Sequence, residues 1–150
     1  EPVSALDVSI QAQVLNLFNR LQRQHNLTYI FISHDLGVIK HVSDRIAIMY
    51  LGRVVELCRA AQIYENPLHP YTQGLFDAVP DLESPIGEKL AVIQGLPPDP
   101  TNLPRGCSFS PRCPYAQAEC LEKPCGMREI EPGHFIDCYF PHQYEGGSRA

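Results

Sequence analysis

Cysteine and proline are concentrated in the second half of this 150-residue chain, and this concentration constrains the fold more than any other feature. Five of the six cysteines lie in the last fifty residues, and most of the fourteen prolines follow Val79. Between Cys107 and Cys138 the pattern indicates turns rather than helices or strands. Such a segment buries little core of its own, so we expect it to need a cross-link or a bound metal.

Three kinds of cross-link are compatible with these cysteines. Disulfides need an oxidising compartment, but the sequence shows no signal peptide. Zinc sites usually contain two close pairs such as Cys-x₂-Cys, whereas five residues separate Cys107 from Cys113 and six separate Cys113 from Cys120. A further seventeen residues separate Cys120 from Cys138. Wider loops suit a larger group such as an iron–sulfur cluster. Spacing alone slightly favours zinc, and Cys58 is expected to be a buried core residue.

The first eighty residues have a regular α/β pattern. Apolar residues recur every three or four positions from residue 8 to about 24, which predicts an amphipathic helix with Asp7 as its N-cap and Asn26 at its end. Residues 28–33 are apolar on both faces and predict a buried parallel strand. His34 would lie at the carboxyl end of this strand, where open α/β sheets bind ligands.

The following segments predict a helix, a hairpin and two more helices. A short helix should cover residues 36–43, and two strands around Gly52 should form a hairpin at 46–51 and 53–58. Helices are predicted at 60–65 and 71–79, with Pro70 in the first turn of the second. Residues 89–94 could form one strand, and residues 143–150 are expected to fray.

Composition excludes several functional classes. No apolar run approaches the roughly 18–20 residues that a membrane-spanning helix needs. The net charge is −5 and no block of lysine and arginine stands out, which argues against nucleic acid as a partner.

Three short motifs in the first sixty residues occur in a recognisable order: Glu1-Pro-Val-Ser-Ala-Leu-Asp7, then Ile32-Ser-His-Asp35, then the strand pair of residues 48–56. Glu1-Pro2 resembles the end of the Walker B segment of ATP-binding-cassette (ABC) ATPases, Ser4-Ala-Leu-Asp7 the D-loop and Ile32-Ser-His-Asp35 the H-loop. Residues 48–56 resemble the strand pair that follows the H-loop. The resemblance implies the C-terminal part of an ABC-type, RecA-like P-loop ATPase domain.

The resemblance also implies catalytic roles. Glu1 would orient the attacking water, and His34 would hydrogen-bond the γ-phosphate of ATP held with Mg²⁺. The D-loop, Ser4, Ala5, Leu6 and Asp7, would contact a second ATPase subunit. Val3 stands where the family usually has threonine, which puts any polar contact there in doubt. The sequence lacks a Gly-rich phosphate loop and a Leu-Ser-Gly-Gly-Gln signature, so we expect a longer protein, and no ATPase activity from this chain alone.

The second half resembles the C-terminal extension of oligopeptide/dipeptide-importer ATPases. The residues that carry this resemblance are Asn66-Pro-Leu-His-Pro-Tyr-Thr72, Gly95-Leu-Pro-Pro-Asp-Pro100 and Gly106-Cys-Ser-Phe-Ser-Pro-Arg-Cys-Pro-Tyr115. Some family members hold a 4Fe–4S cluster there, which implies Cys107, Cys113, Cys120 and Cys138 as ligands, with Zn²⁺ as the alternative. Cys125 would be a bystander or a replacement ligand. Arg112 and His134 are expected to be plain surface residues.

The leading hypothesis is therefore that the chain is part of the ATPase subunit of a peptide-importing ABC transporter. This subunit would lie at the cytoplasmic face of the cell membrane as a peripheral protein. Its implied partners are a second ATPase subunit, two transmembrane permease subunits and, indirectly, a substrate-binding protein. Dipeptide, oligopeptide and nickel remain open as substrates. We expect an ATPase part at residues 1–80 and a Pro/Cys-rich, mostly irregular extension at 81–142. The alternatives are a stand-alone Cys-rich metal-binding interaction module and a soluble ABC protein without a transporter.

Overall fold

The computed structural model describes residues 7–79 and 92–142 of the chain. It has mixed α/β content, as predicted, and divides into two compact units, Glu1–Asp44 and Arg45–Ala150. The domain limits predicted at residues 80 and 142 border residues outside the described ranges, so they stay predictions. None of the described helices is long and apolar enough to cross a membrane.

The first unit begins with helix α1, Val8–His25. The Asp7 carboxylate accepts a hydrogen bond of 2.9 Å from the Ile10 amide and so satisfies one of the free N–H groups of the first turn. Asn26 ends the helix in the left-handed conformation, with φ of 51°. Both predicted helix ends are confirmed.

The strand predicted at residues 28–33 is wrong. These residues have no regular structure, and Ile30 and Ile32 are 94% and 76% exposed. A strand is held by hydrogen bonds to a neighbouring strand, and residues 7–44 contain no other strand to pair with it. Instead, Phe18 of α1 packs against Tyr29 and Phe31, with ring centroids 5.9 and 6.4 Å apart.

Helix α2, Leu36–Val42, follows and is one residue shorter than predicted. Asp35 caps it, since its carboxylate accepts a hydrogen bond of 3.1 Å from the Val38 amide. The short helix therefore starts two residues after His34.

The second unit is built on an antiparallel sheet of four strands in the order β1-β2-β4-β3. Strands β1, Arg45–Tyr50, and β2, Arg53–Arg59, form the predicted hairpin. Leu51 and Gly52 both have positive φ, 45° and 78°, which matches the twist that a two-residue hairpin loop requires. Alternate residues of β1 are buried, so one face of the hairpin contributes to the core. Cys58 is fully buried, as predicted.

Helices α3, Ala60–Glu65, and α4, Pro70–Asp77, lie where the sequence predicts them. Pro70 occupies the first turn of α4, where its missing N–H costs nothing. His69 is the N-cap, because its Nδ1 accepts a hydrogen bond of 3.0 Å from the Tyr71 amide.

The Cys-rich segment, residues 107–138, has more regular structure than predicted. A 3₁₀ turn covers Ser110–Arg112, helix α5 covers Ala118–Glu122, and strands β3 and β4 cover Arg128–Glu131 and His134–Ile136. Elements this short give too few repeats for a periodic pattern to show. Strand β4 pairs with β2, far away in sequence. Of the possible strand at 89–94, residues 92–94 have no regular structure, and residues 89–91 and 143–150 lie outside the described ranges.

Candidate functional site

The residues predicted to act on nucleotide lie in the first unit or before its described part. Glu1, Ser4, Ala5 and Leu6 fall outside the described residues, so their roles stay predictions. Asp7 caps α1 through its carboxylate, which leaves its predicted contact with a partner subunit untested.

His34 lies in a bend just before α2 and is exposed. The bend is held by the Ser33 hydroxyl, which accepts a hydrogen bond of 3.0 Å from the Asp35 amide, and by the Asp35 cap of α2. An imidazole on a fixed, exposed turn is accessible to a ligand. The predicted strand that should place it at a sheet edge is absent from residues 28–33.

Five cysteines of the second unit line one narrow cavity of about 20 Å³, which we call the thiol pocket. They are the four predicted ligands and the fifth cysteine of the segment: Cys107, Cys113, Cys120, Cys138 and Cys125. All five are free thiols. Rings of Phe109, Tyr115, Tyr139 and Phe140 complete much of the wall. The structure therefore brings the predicted ligands to one place and adds Cys125 to them.

Two close backbone contacts position these cysteines. Cys107 and Cys113 flank the 3₁₀ turn, and the Cys107 amide donates a hydrogen bond of 2.8 Å to the Cys120 carbonyl in α5. The adjacent Gly106 is buried against the backbone of Cys120 and Leu121. Because a glycine allows two backbones to approach this closely, the loop of Cys107 lies directly against α5.

Arg128 fixes the position of Cys138. Its guanidinium donates hydrogen bonds of 2.7 and 3.1 Å to the Cys138 carbonyl and one of 2.6 Å to the Tyr139 carbonyl. The Gly126 amide, next to Cys125, donates to the Asp137 carboxylate at 2.7 Å. These bonds hold the segments that carry Cys125 and Cys138 side by side.

The sulfur atoms lie in a dry but hydrogen-bonding environment. Burial raises the pKa of the Cys107 and Cys113 thiols, and it raises the pKa of Cys138 to about 12. Backbone N–H groups two residues further along the chain oppose this by hydrogen bonding to sulfur, from Phe109 to Cys107, from Tyr115 to Cys113 and from Phe140 to Cys138. Hydrogen bonds of this kind favour the thiolate, which is the metal-binding form.

The arrangement does not fit a single metal ion. Within residues 7–79 and 92–142, no group of three or more His, Cys, Asp or Glu side chains is arranged to hold one. A zinc ion needs its ligand atoms 2.0–2.3 Å from its centre, so they must converge closely. Thiolates are also the ligands that iron–sulfur clusters use, and five cysteines line this pocket.

Sequence reasoning missed a buried polar network next to the pocket. The Oε1 atom of Glu56 lies 2.6 Å from Nε2 of His134, and both side chains are fully buried. The Glu56 carboxylate also accepts the amides of Leu68 and His69, at 2.8 and 3.0 Å. The prediction of a surface His134 is therefore wrong. The sequence does contain a signal for this network: Glu56 is a charged residue on the apolar side of a strand of the predicted hairpin.

His69 belongs to the same buried network. Burial lowers the pKa of His69 to about 4, so it is neutral at pH 7.

Arg112, expected to be a plain surface residue, is half-buried and donates hydrogen bonds of 3.1 and 3.2 Å to the carbonyls of Ile93 and Gln94. It thus ties residues 93–94 to the 3₁₀ turn that separates Cys107 from Cys113.

Part of the second unit is similar to a known protein family. Residues 55–120 match a family model described as the oligopeptide/dipeptide transporter C-terminal region. The resemblance predicted from the motifs is confirmed. This C-terminal region contains Glu56 and three of the five pocket cysteines, whereas Cys125, His134 and Cys138 lie beyond it.

Relatives match nearly the whole chain, including the residues before the C-terminal region. The chain is 50% identical over 141 residues to the oligopeptide transport ATP-binding protein AppF of Bacillus subtilis, a match that covers 93% of the chain and 43% of the relative. It is 55% identical over 126 residues to the oligopeptide transport ATP-binding protein OppF of Salmonella typhimurium, covering 81% of the chain and 37% of the relative. The chain thus spans less than half the length of these relatives.

Proposed function

We propose that this chain is part of the ATP-hydrolysing subunit of a peptide-importing ABC transporter. The observation that carries the proposal is the 50% identity over 93% of the chain to an oligopeptide transport ATP-binding protein. Residues 1–80 would belong to the RecA-like ATPase domain and residues 81–142 to a Pro/Cys-rich extension. Two such subunits and two permease subunits would form the transporter at the cytoplasmic face of the membrane. A substrate-binding protein would deliver the peptide.

In this proposal the ATPase part supplies positioning and charge stabilisation, which dominate phosphoryl transfer. The Glu1 carboxylate polarises the attacking water, and the His34 imidazole hydrogen-bonds the γ-phosphate. Residues 4–7 contact the second ATPase subunit. ATP and Mg²⁺ are held by a phosphate loop that this sequence does not contain.

We expect Glu1→Gln and His34→Ala each to lower kcat for ATP hydrolysis by about 10²–10⁴-fold in the full-length product of the gene. The amide cannot take a proton from water, and alanine cannot reach the γ-phosphate. The measurement is phosphate release by the purified ATPase–permease complex. His41→Ala is the matched control, because His41 is an exposed residue of α2, and it should leave the rate unchanged.

Three outcomes would count against this proposal. ATP hydrolysis by the 150-residue chain alone would show that it needs no phosphate loop. A full-length Glu1→Gln enzyme of normal rate would remove the proposed role of Glu1. Hydrolysis that needs neither permease nor peptide would favour a soluble ABC protein.

We also propose that the thiol pocket holds a 4Fe–4S cluster through Cys107, Cys113, Cys120 and Cys138. Four thiolates are the usual ligand set for such a cluster. Support comes from five thiols around one cavity and from backbone N–H groups that hydrogen-bond three of the sulfurs. When bound, a cluster would cross-link the turn, α5 and the end of β4. Cys125 would be a replacement ligand.

Anaerobic incubation of the chain with equal amounts of ferrous and ferric iron and with sulfide is expected to produce visible charge-transfer absorbance and four irons per chain. Each of Cys107→Ala, Cys113→Ala, Cys120→Ala and Cys138→Ala should lower the absorbance several-fold. Cys58→Ala is the matched control, because Cys58 lies in β2 and does not line the pocket. Tight zinc uptake without visible absorbance would replace the cluster by zinc, and uptake of neither would leave reduced thiols.

A further inference from the structure

One hydroxyl group in the wall of the thiol pocket has no hydrogen-bond partner. Ser110 lies on the 3₁₀ turn between Cys107 and Cys113, lines the pocket and is 5% exposed. Its Oγ is buried, and no atom of the described residues hydrogen-bonds it. Leaving a buried hydroxyl unpaired costs roughly 1–3 kcal/mol, so such a group calls for an explanation in terms of what the site binds.

The polar groups already present in the pocket wall do not satisfy this hydroxyl. The Asp137 carboxylate accepts the Gly126 amide, and Nδ1 of His69 accepts the Tyr71 amide. The other side-chain acceptors in the wall are the phenol oxygens of Tyr115 and Tyr139 and the cysteine sulfurs, and none of them accepts a hydrogen bond from the Ser110 hydroxyl. Sulfur that carries negative charge is a better acceptor than a neutral thiol.

The same turn already provides hydrogen bonds to sulfur. The Ser110 amide donates a hydrogen bond of 3.0 Å to the Cys107 carbonyl, and hydrogen bonding from the Phe109 and Ser110 backbone opposes the rise in the pKa of the Cys107 thiol. The Ser110 hydroxyl would add a side-chain donor to this set of amides. Hydrogen bonds to the sulfurs are among the features that set the reduction potential of an iron–sulfur cluster, because they stabilise its more negatively charged, reduced form.

We propose that Ser110 is a positioning residue of the thiol pocket whose hydroxyl donates a hydrogen bond to a sulfur of the bound cluster and raises the reduction potential of that cluster. This inference rests on the proposed cluster. Ser110 would touch the group directly without being one of its ligands.

The test is an anaerobic redox titration of the chain, monitored by visible absorbance, after incubation with equal amounts of ferrous and ferric iron and with sulfide. Ser110→Ala is expected to make the equilibrium constant for one-electron reduction about tenfold less favourable, which corresponds to a potential about 59 mV lower. Ser110→Thr keeps the hydroxyl and should restore a potential close to that of the unchanged chain. Iron content, measured alongside, shows whether each variant is fully loaded.

Ser108→Ala is the matched control. Ser108 is buried, lies two residues away and does not line the pocket, so its removal should leave the potential unchanged. Equal potentials for Ser110→Ala and Ser108→Ala would overturn the inference about Ser110 while leaving the cluster in place. Failure of the unchanged chain to gain visible absorbance would overturn both the cluster and the role of Ser110.

Discussion

Replacing Glu56 by alanine is expected to lower the free energy of unfolding of the second unit by about 3–5 kcal/mol, because it leaves buried hydrogen-bond donors without an acceptor, at roughly 1–3 kcal/mol each. The carboxylate accepts three hydrogen bonds, from His134 and from the amides of Leu68 and His69. All three donors are left unpaired by the substitution. Total stabilities of 5–15 kcal/mol are typical of small domains, so the loss removes a large share.

Glu56→Gln keeps the size of the side chain and changes only its hydrogen-bonding groups, so it tests the hydrogen bonds without leaving a cavity. In either orientation of the amide, its NH₂ group faces a donor, since Oε1 accepts from Leu68 and His134 and Oε2 accepts from His69. We therefore expect a loss close to that of Glu56→Ala. Urea denaturation followed by far-UV circular dichroism under reducing conditions gives both values. Glu65→Ala is the control, because Glu65 lies on the exposed end of α3, and it should change the free energy of unfolding by no more than about 0.5 kcal/mol. An equally small change for Glu56→Ala would contradict the proposed stabilising role of the network.

Gly106→Ala is expected to destabilise the second unit by about 3 kcal/mol, the upper end of overpacking costs. An added Cβ would overlap the Cys120 carbonyl oxygen and lie 2.8 Å from the Leu121 carbonyl carbon. These neighbours are backbone atoms, so no side-chain rotation relieves the overlap. The hydrogen bond from the Cys107 amide to the Cys120 carbonyl should break, and the two cysteines should separate.

Two measurements check the Gly106 prediction. Urea denaturation gives the loss of stability, and the rate of thiol labelling should rise because the pocket opens. Gly133→Ala provides the control: its φ is 76° and open space surrounds the site, so it bears only the backbone cost of roughly 1–2 kcal/mol. If both variants lose the same stability and label at the same rate, close contact at Gly106 is not the cause.

Local sequence signals predicted the elements that need no distant partner. The Asp7 cap and the Asn26 end of α1 depend on residues within one turn of the helix. The β1–β2 hairpin depends on a two-residue turn with Gly52, and α4 depends on Pro70 in its first turn. Because each signal acts within a few residues, the local sequence is sufficient to predict these elements.

Elements that depend on pairing could not be predicted in the same way. Residues 28–33 have the composition of a buried strand, but without a neighbouring strand in residues 7–44 they stay irregular and expose Ile30 and Ile32. Conversely, β4 is only three residues long and forms because β2 and β3 pair with its two edges. Whether a segment forms a strand depends more on a neighbouring strand that can pair with it than on the composition of the segment itself.

The sequence by itself determined the family resemblance, helices α1 to α4, the hairpin and the four cysteines predicted to bind one cluster. Only the tertiary structure decided that Cys125 lines the same pocket, that Ser110 has an unpaired hydroxyl in its wall, and that Glu56 and His134 meet in the core. The physical reason is distance along the chain. Capping and turn formation act between near neighbours, whereas burial of a polar group is determined by segments that pack together from far apart.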